Sequence, residues 1–171
     1  KSTSVDNPSW TAENTGLSTL NVEDINIDSA KIAFYAGTLG GGVFKSTNFA
    51  NPSWTAFNIG LTNSNVLELA IDPGNNTRIF AGTNGSGVFR STDSGINWAK
   101  VVDGELPDDA VVPALAIDPN PITVYAGTDP NGVFKSTNAA GASPTWTASS
   151  AGLTAANIQA VAVDPEATAI L

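Results

Sequence analysis

A repeat of about 44 to 46 residues recurs four times along the chain, and it constrains the fold more than any other feature. Three phenylalanines mark its period at intervals of 45 residues: Phe44, Phe89 and Phe134. Four tryptophans follow at steps of 44, 44 and 48 residues: Trp10, Trp54, Trp98 and Trp146. Four aspartates recur at steps of 44, 46 and 46 residues: Asp28, Asp72, Asp118 and Asp164. A chain with this period buries its apolar side chains by stacking successive units against one another.

Each copy contains four short β-type runs between turn residues, and none shows a helical period. In the second copy the runs are Val66 to Ile71, which ends at the turn formers Asp72-Pro73, then 78–82, 87–91 and 97–101. The equivalent runs elsewhere are 22–27, 32–37, 42–46 and 53–57, then 112–117, 122–127 and 132–136, and finally 158–163. Four short antiparallel strands per unit, with no covering helix, predict an all-β chain built from β-propeller blades.

The blade boundaries predict one propeller segment over residues 1–171. Complete blades are predicted at about 21–57, 65–102 and 111–149, with partial blades at 1–12 and 157–171. An open arc of blades would expose unpaired strand edges and apolar sheet faces. We therefore expect the segment to be part of a larger ring of six to eight blades, or to self-associate through its open blade edges. A four-bladed ring closed by the two partial blades is the alternative.

The hairpin that connects the runs 87–91 and 97–101 carries a recognisable motif. Ser91, Asp93, Gly95 and Trp98 have the form Ser-x-Asp-x-Gly-x-x-Trp, the Asp-box. With the recurring Tyr-Ala-Gly-Thr and Gly-Val-Phe-Lys-Ser-Thr runs, it resembles the BNR or Asp-box repeat β-propellers, a superfamily that includes sialidases, xyloglucan hydrolases and sortilin-type receptors. We expect these four residues to be structural, because Asp accepts hydrogen bonds from the backbone amides of the turn and Gly permits a positive φ. The other copies have Ser4, Asn48 and Asn138 at the Asp position and longer hairpins, so the same turn is not expected there.

Composition removes several function classes. The chain has no cysteine and no histidine, so thiolate chemistry, imidazole bases and Cys/His zinc sites are absent, and no metal or cofactor is predicted. Its net charge of -9 repels phosphate backbones and disfavours a nucleic-acid partner. No apolar run is long enough to span a bilayer, which predicts no membrane insertion. The abundance of Gly, Ser, Thr and Asn over Lys favours an extracellular or periplasmic location.

The resemblance to sialidases implies three arginines around a substrate carboxylate, whereas this chain contains only Arg78 and Arg90. A glycosidase with two carboxylates, of the xyloglucan hydrolase type, is harder to exclude. The best-repeated aspartates occupy the same turn in every copy, as structural residues would. Carboxylates outside the repeat pattern are Asp24, Glu68, Asp103, Glu105, Asp108, Asp109, Asp129 and Glu166. We predict no catalytic residues and no enzymatic activity in this segment.

A four-stranded meander places the turns after its second and fourth strands at one end of the blade. Variable polar loops fall at that end, and propellers commonly bind ligands there. The predicted ligand contacts are Asn65, Asn84, Asp109, Asp129 and Asn131. The predicted function is a non-enzymatic binding or scaffold module that presents these loops to a protein or glycan. The alternative is the non-catalytic fragment of a larger Asp-box glycoside hydrolase of the sialidase or xyloglucanase type.

Overall fold

Three sheets make up the computed structural model, which describes residues 10–154 and 156–164. In each sheet four antiparallel strands form a meander in chain order. Blade 1 contains β1 (Val22–Ile27), β2 (Phe34–Thr38), β3 (Gly42–Ser46) and β4 (Thr55–Ala56). Blade 2 contains β5 (Val66–Ile71), β6 (Ile79–Thr83), β7 (Val88–Ser91) and β8 (Ala99–Lys100). Blade 3 contains β10 (Val111–Pro119), β11 (Ile122–Asp129), β12 (Gly132–Ser136) and β13 (Thr145–Ala148). The short strand β9 (Asp103–Gly104) adds to the outer edge of blade 3 in parallel with β13. The all-β fold with four-stranded antiparallel blades is therefore confirmed.

The space between successive blades is filled by the repeated apolar positions. We call the sheet face that points toward the preceding blade the leading face, and the opposite one the trailing face. Tyr35 and Val43 on the trailing face of blade 1 pack against the leading face of blade 2, where Leu69, Phe89 and Trp98 are buried. The same positions recur between blades 2 and 3: Phe80, Val88, Leu115, Phe134 and Trp146. Burying each such side chain contributes about 1.5–3 kcal/mol.

A glycine in the second strand of each blade lets the next blade approach closely. A Cβ at Gly37 would lie 2.9 Å from Val66 Cγ1, and one at Gly82 would lie 2.4 Å from the Val112 carbonyl oxygen. The third copy repeats the contact, with Gly127 against Ile158 at 2.7 Å. The Ala-Gly-Thr sequence of each second strand is thus explained by packing.

Tryptophan joins the outer edge of each blade to the chain leaving the blade before it. The Trp98 amide donates to the Ile59 carbonyl at 2.7 Å, and its indole Nε1 donates to the Phe57 carbonyl at 2.8 Å. Trp54 makes the same two bonds, to Thr15 and Glu13, both at 2.8 Å. The linker between blades 2 and 3 is longer than the one between blades 1 and 2. The buried indole Nε1 of Trp146 has no partner in the described part of the chain.

One sequence expectation about strands needs correction. The fourth strands are two residues long in blades 1 and 2, because only these residues pair with β3 and β7 before the chain turns to the next blade. The predicted strand at 158–163 has no strand pairing within the described residues. In the other copies that strand pairs with the strand after it, and the equivalent residues here follow Asp164, outside the described residues. The predicted partial blade at 1–12 lies largely outside them as well.

Candidate functional site

A polar cavity lies where the first strands of the blades (β1, β5 and β10), which we call the inner strands, begin, at the same end as the variable loops. It has a volume of about 370 Å³, and we call it the channel-mouth cavity. Its lining residues come from all three blades and from the segment after blade 3: Glu23, Leu67, Glu68, Val111, Pro113, Asp129 and Gln159. Three carboxylates and one carboxamide therefore face a space large enough for a sugar-sized ligand.

Glu68 is the most perturbed carboxyl of this cavity. Partial burial, and secondarily the charge of Asp24, raise its pKa to about 7. Asp24 Oδ2 accepts a hydrogen bond from the Leu69 amide of blade 2 at 2.8 Å and one from Asn26 Nδ2 of its own strand at 2.6 Å, and these two bonds hold it in place. Near neutral pH the Glu68 carboxyl is consequently divided between its protonated and ionised forms. It can then act as a hydrogen-bond donor as well as an acceptor.

The predicted contacts Asn65 and Asn84 lie side by side at the rim of the cavity. The Asn84 amide donates to the Asn65 carbonyl at 2.9 Å. Both are exposed, and both are positioned by Asn63, a residue that the sequence analysis missed. Asn63 Nδ2 donates to the Asn84 carbonyl at 3.0 Å and to Ser86 Oγ at 2.9 Å, while Asn63 Oδ1 accepts from the Asn65 amide at 2.9 Å. The Asn-x-Asn spacing, which suits an Asx turn, was the available signal.

Val111 connects these asparagines to the carboxylate side of the cavity. It forms a β-bridge with Asn84 and is the register partner of Asp129, so Asn84 and Asp129 flank the same residue. Asp109 is exposed on the preceding loop, and its carbonyl oxygen lies 4.0 Å from the position of a Cβ on Gly85. Asn131 is exposed in the turn between β11 and β12, one residue before Gly132. The structure thus brings Asn65, Asn84 and Asp129 together and leaves Asp109 and Asn131 on the adjoining turns.

The loops that carry these residues are fixed by a repeated pair of bonds. In blade 2, Thr83 Oγ1 donates to the Gly87 carbonyl at 2.8 Å, and the Gly87 amide donates to the Ala110 carbonyl of the next linker at 2.9 Å. The other two blades repeat both bonds: Thr38 with Gly42 and Ser64, and Thr128 with Gly132 and Ala156. The three threonines are fully buried. Each turn at the channel mouth is therefore closed on itself and tied to the following blade.

The repeated aspartates at the opposite end have structural partners. Asp72 Oδ1 accepts from the Gly74 amide at 2.8 Å, and its Oδ2 pairs with Arg78. Asp28 Oδ1 accepts from the Ile32 amide at 2.8 Å, and Asp118 Oδ1 accepts from the Asn120 amide at 3.0 Å. These carboxylates stabilise the turn after each inner strand.

The Asp-box forms a closed local network. Asp93 accepts from the Asn97 amide at 2.9 Å, from Asn97 Nδ2 at 2.7 Å and from Ser91 Oγ at 2.8 Å. These bonds, the backbone one first, lower the pKa of Asp93. Gly95 lies in the turn at a φ of 86°. Trp98 packs in the core behind this hairpin.

The degenerate boxes keep the acceptor although their hairpins are longer. Asn48 Oδ1 accepts from the Ala50 and Asn51 amides, both at 3.0 Å. Asn138 Oδ1 accepts from the Thr145 amide at 2.8 Å. The turn differs from that of the intact box, as expected, but the side-chain oxygen of the asparagine accepts hydrogen bonds from backbone amides, as the carboxylate of Asp93 does.

Both arginines of the chain are engaged in structural contacts. Arg78 pairs with Asp72 as described, and Arg90 donates to the carbonyl oxygens of Ala139, Gly141 and Ala142 in the insertion of blade 3. No cluster of three or more metal-ligating side chains occurs among the described residues. The same residues contain no helix that is long and apolar enough to cross a membrane.

No protein-family model matches the chain, and no curated protein matches it. Solved structures do. An ancestral GH74 enzyme aligns with 91% of the chain at a TM-score of 0.65 and 27% identity. The extracellular domain of a protein described as a one component system from B. thetaiotaomicron aligns with 93% at 0.69 and 21% identity. The GH74 xyloglucanase from Xanthomonas campestris aligns with 85% at 0.61 and 18% identity.

The chain spans about 22% of the length of the first of these structures and 21% of the second. TM-scores of 0.65, 0.69 and 0.61 over 91%, 93% and 85% of this chain establish a shared fold, although the sequence identities are low. The resemblance to BNR/Asp-box β-propellers, predicted from the repeat and the box, is confirmed.

Proposed function

We propose that this propeller segment is a non-enzymatic module that binds a neutral glycan at the channel mouth. The observation that carries the proposal is the cavity of about 370 Å³ in which Glu68, Asp129 and Gln159 face one space. Carboxylates, carboxamides and a half-protonated carboxyl offer both acceptors and donors to sugar hydroxyls. The exposed amides of Asn65 and Asn84 extend this polar surface onto the adjoining loops.

Charge selects among glycans. The net charge of -9 and the carboxylate lining repel acidic polysaccharides, and both arginines are used by the fold. Uncharged oligosaccharides are the ligands that this surface favours. The solved structures that the chain resembles include a GH74 xyloglucanase, which makes xyloglucan oligosaccharides the first ligands to test. They also include an extracellular domain, in keeping with an extracellular or periplasmic location.

Binding can be measured by isothermal titration calorimetry with neutral xyloglucan oligosaccharides. Asn84→Ala and Asp129→Ala are expected to weaken binding at least several-fold, because each removes a polar group at the rim or wall of the cavity. Asn51→Ala is the matched control, since Asn51 is exposed at the opposite end of blade 1 and uses only its backbone amide in the Asn48 turn. Heat signals absent for the unsubstituted chain across a panel of neutral glycans would contradict the proposal.

The second candidate is the non-catalytic part of a larger glycoside hydrolase. It is favoured by the GH74 structures, of which the chain spans about 22% in the first. Both candidates expect that this chain releases no reducing sugar from xyloglucan. Turnover that is abolished by Glu68→Gln would contradict both, because a carboxyl with a pKa of about 7 beside a second carboxylate is suited to general acid catalysis.

A further inference from the structure

The leading face of blade 1 differs from its counterparts in the other blades because its inner part is not covered by any described part of the chain. Ile25 is 57% exposed, whereas Leu69 and Leu115 at the same repeat position are 2% and 6% exposed. Ile27 is likewise 55% exposed. Together with Phe34, Phe49 and Trp54, these side chains line a groove of about 470 Å³. We call this groove and the two isoleucines the blade 1 face.

At the outer edge of the blade 1 face, residues that precede blade 1 already make the contacts that a preceding blade would make. The Thr15 carbonyl accepts from the Trp54 amide and the Glu13 carbonyl accepts from Trp54 Nε1, both at 2.8 Å. Between blades 1 and 2 the equivalent carbonyls belong to Ile59 and Phe57. Residues 10–17 thus provide the outer part of a blade in front of blade 1. The inner part, which would cover Ile25 and Ile27, is not supplied by the described residues.

The complementary inner part lies on the far side of blade 3. In the segment 156–164, the Ala156 carbonyl accepts from the Gly132 amide at 2.8 Å, and Ile158 contacts Gly127. Ser64 and Val66 make the same contacts to Gly42 and Gly37, so 156–164 occupies the place of a fourth inner strand.

This segment carries two exposed alanines, Ala160 and Ala162. At the position equivalent to Ala162, Ala70 is 8% exposed and packs in the core between blades 2 and 3 with Leu115. Leu115 in turn is the repeat equivalent of Ile25. The repeat therefore assigns Ile25 and Ile27 as the surface against which an alanine pair such as Ala160 and Ala162 packs. Residues 156–163 carry no charge, and the one charged residue of the segment, Asp164, lies at its end.

We propose that two copies of the chain associate head to tail, with the segment 156–164 of one copy packing on the blade 1 face of the next. The junction is a composite blade, whose inner part comes from one copy and whose outer part, residues 10–17, comes from the other. Its contacts repeat those that join blades 1, 2 and 3 within the chain. This interface is separate from the channel-mouth loops and does not rest on the proposed glycan binding.

Sedimentation velocity over a range of micromolar concentrations tests the proposal. The unsubstituted chain is expected to sediment as species larger than its monomer of 17.4 kDa, in proportions that rise with concentration. Ile27→Asp on the blade 1 face and Ala162→Asp on the segment 156–164 are each expected to reduce it to a monomer. Both side chains are exposed in the single chain, so folding should survive, as far-UV circular dichroism can verify. Ile96→Asp, which is 48% exposed away from either surface, is the matched control and should leave association intact.

An equimolar mixture of the two variants separates this arrangement from others. Ile27→Asp keeps a sound segment 156–164, and Ala162→Asp keeps a sound blade 1 face, so the mixture should form a dimer of one copy of each and grow no further. A chain that stays monomeric at all concentrations would overturn the proposal. So would association that resists Ala162→Asp, which would indicate two blade 1 faces packed on each other, or a mixture that remains monomeric.

Discussion

Replacing Glu68 by glutamine should change how the stability of this protein depends on pH. The pKa of Glu68 is about 7 in the folded protein, against an ordinary value of 4.5. The folded state therefore binds this proton more tightly than the unfolded state. Its contribution to stability is fully present below about pH 4.5 and is lost as the pH rises through about 7. The Glu68→Gln variant lacks this titration.

The magnitude follows from the pKa difference. For a fully buried group the difference would correspond to about 3 kcal/mol, and the half-exposed position of Glu68 reduces this to about 1–2 kcal/mol through solvent screening. We expect the free energy of unfolding of the unsubstituted chain, relative to Glu68→Gln, to fall by this amount between pH 5 and pH 8. Urea unfolding followed by tryptophan fluorescence at the two pH values gives the comparison.

Asp103→Asn makes the same change of charge at an exposed residue of β9 and serves as the control. A change of the same size between pH 5 and pH 8 in Asp103→Asn would show that the effect comes from net charge and not from the Glu68 position. A Glu68→Gln difference that is equal at pH 5 and pH 8 would refute the assignment of a raised pKa to this carboxyl. Asp24→Asn should weaken the effect, because Asp24 supplies the second cause of the shift.

Two further predictions concern the outer edge of the blades. Gly60→Ala places a Cβ 2.1 Å from the Trp98 carbonyl oxygen at a φ of 83°, and should destabilise the fold by more than about 2 kcal/mol in thermal unfolding. The equivalent glycine of a later copy, Gly152, has a φ of 86° and nothing within 4 Å of an added Cβ. Gly152→Ala should therefore cost only the backbone strain of about 1–2 kcal/mol. Equal losses for the two would show that the close approach does not matter. Trp98→Phe should destabilise more than Trp146→Phe by about 1 kcal/mol in urea unfolding, because Trp98 Nε1 donates a hydrogen bond to the Phe57 carbonyl, whereas the buried Trp146 Nε1 has no partner among the described residues. A larger loss at Trp146 would contradict this account.

The blade architecture could be predicted because the repeat marks the packed positions directly. The Trp, Phe and inner-strand apolar residues recur where adjacent sheets meet, so their spacing predicts a series of packed four-stranded sheets. The strand at 158–163 stays a prediction, because a strand depends on a partner that pairs with it, and its expected partner lies outside the described residues. The Asn residues of the degenerate boxes were expected to lose the turn, yet an amide oxygen accepts backbone amides much as a carboxylate does.

The candidate site was only partly accessible from sequence. Turn composition and connectivity placed Asn65, Asn84 and Asp129 at one end of the blades, and the structure brings them around Val111. The pairing of Asp24 with Glu68 was missed, although both had been noted as carboxylates outside the repeat pattern. They occupy equivalent positions in neighbouring copies, and only the approach of two inner strands brings them close enough to alter a pKa.

The bond from Gly87 to the Ala110 carbonyl, repeated by Gly42 and Gly132, makes the turns of the channel mouth mechanically interdependent. Each turn is positioned by its hydrogen bond to the linker of the next blade. A change of length in one loop would consequently displace the neighbouring loop, and a ligand that displaces one turn would displace the others as well. For protein engineering, this means that new binding loops are better exchanged together with the following linker than one at a time.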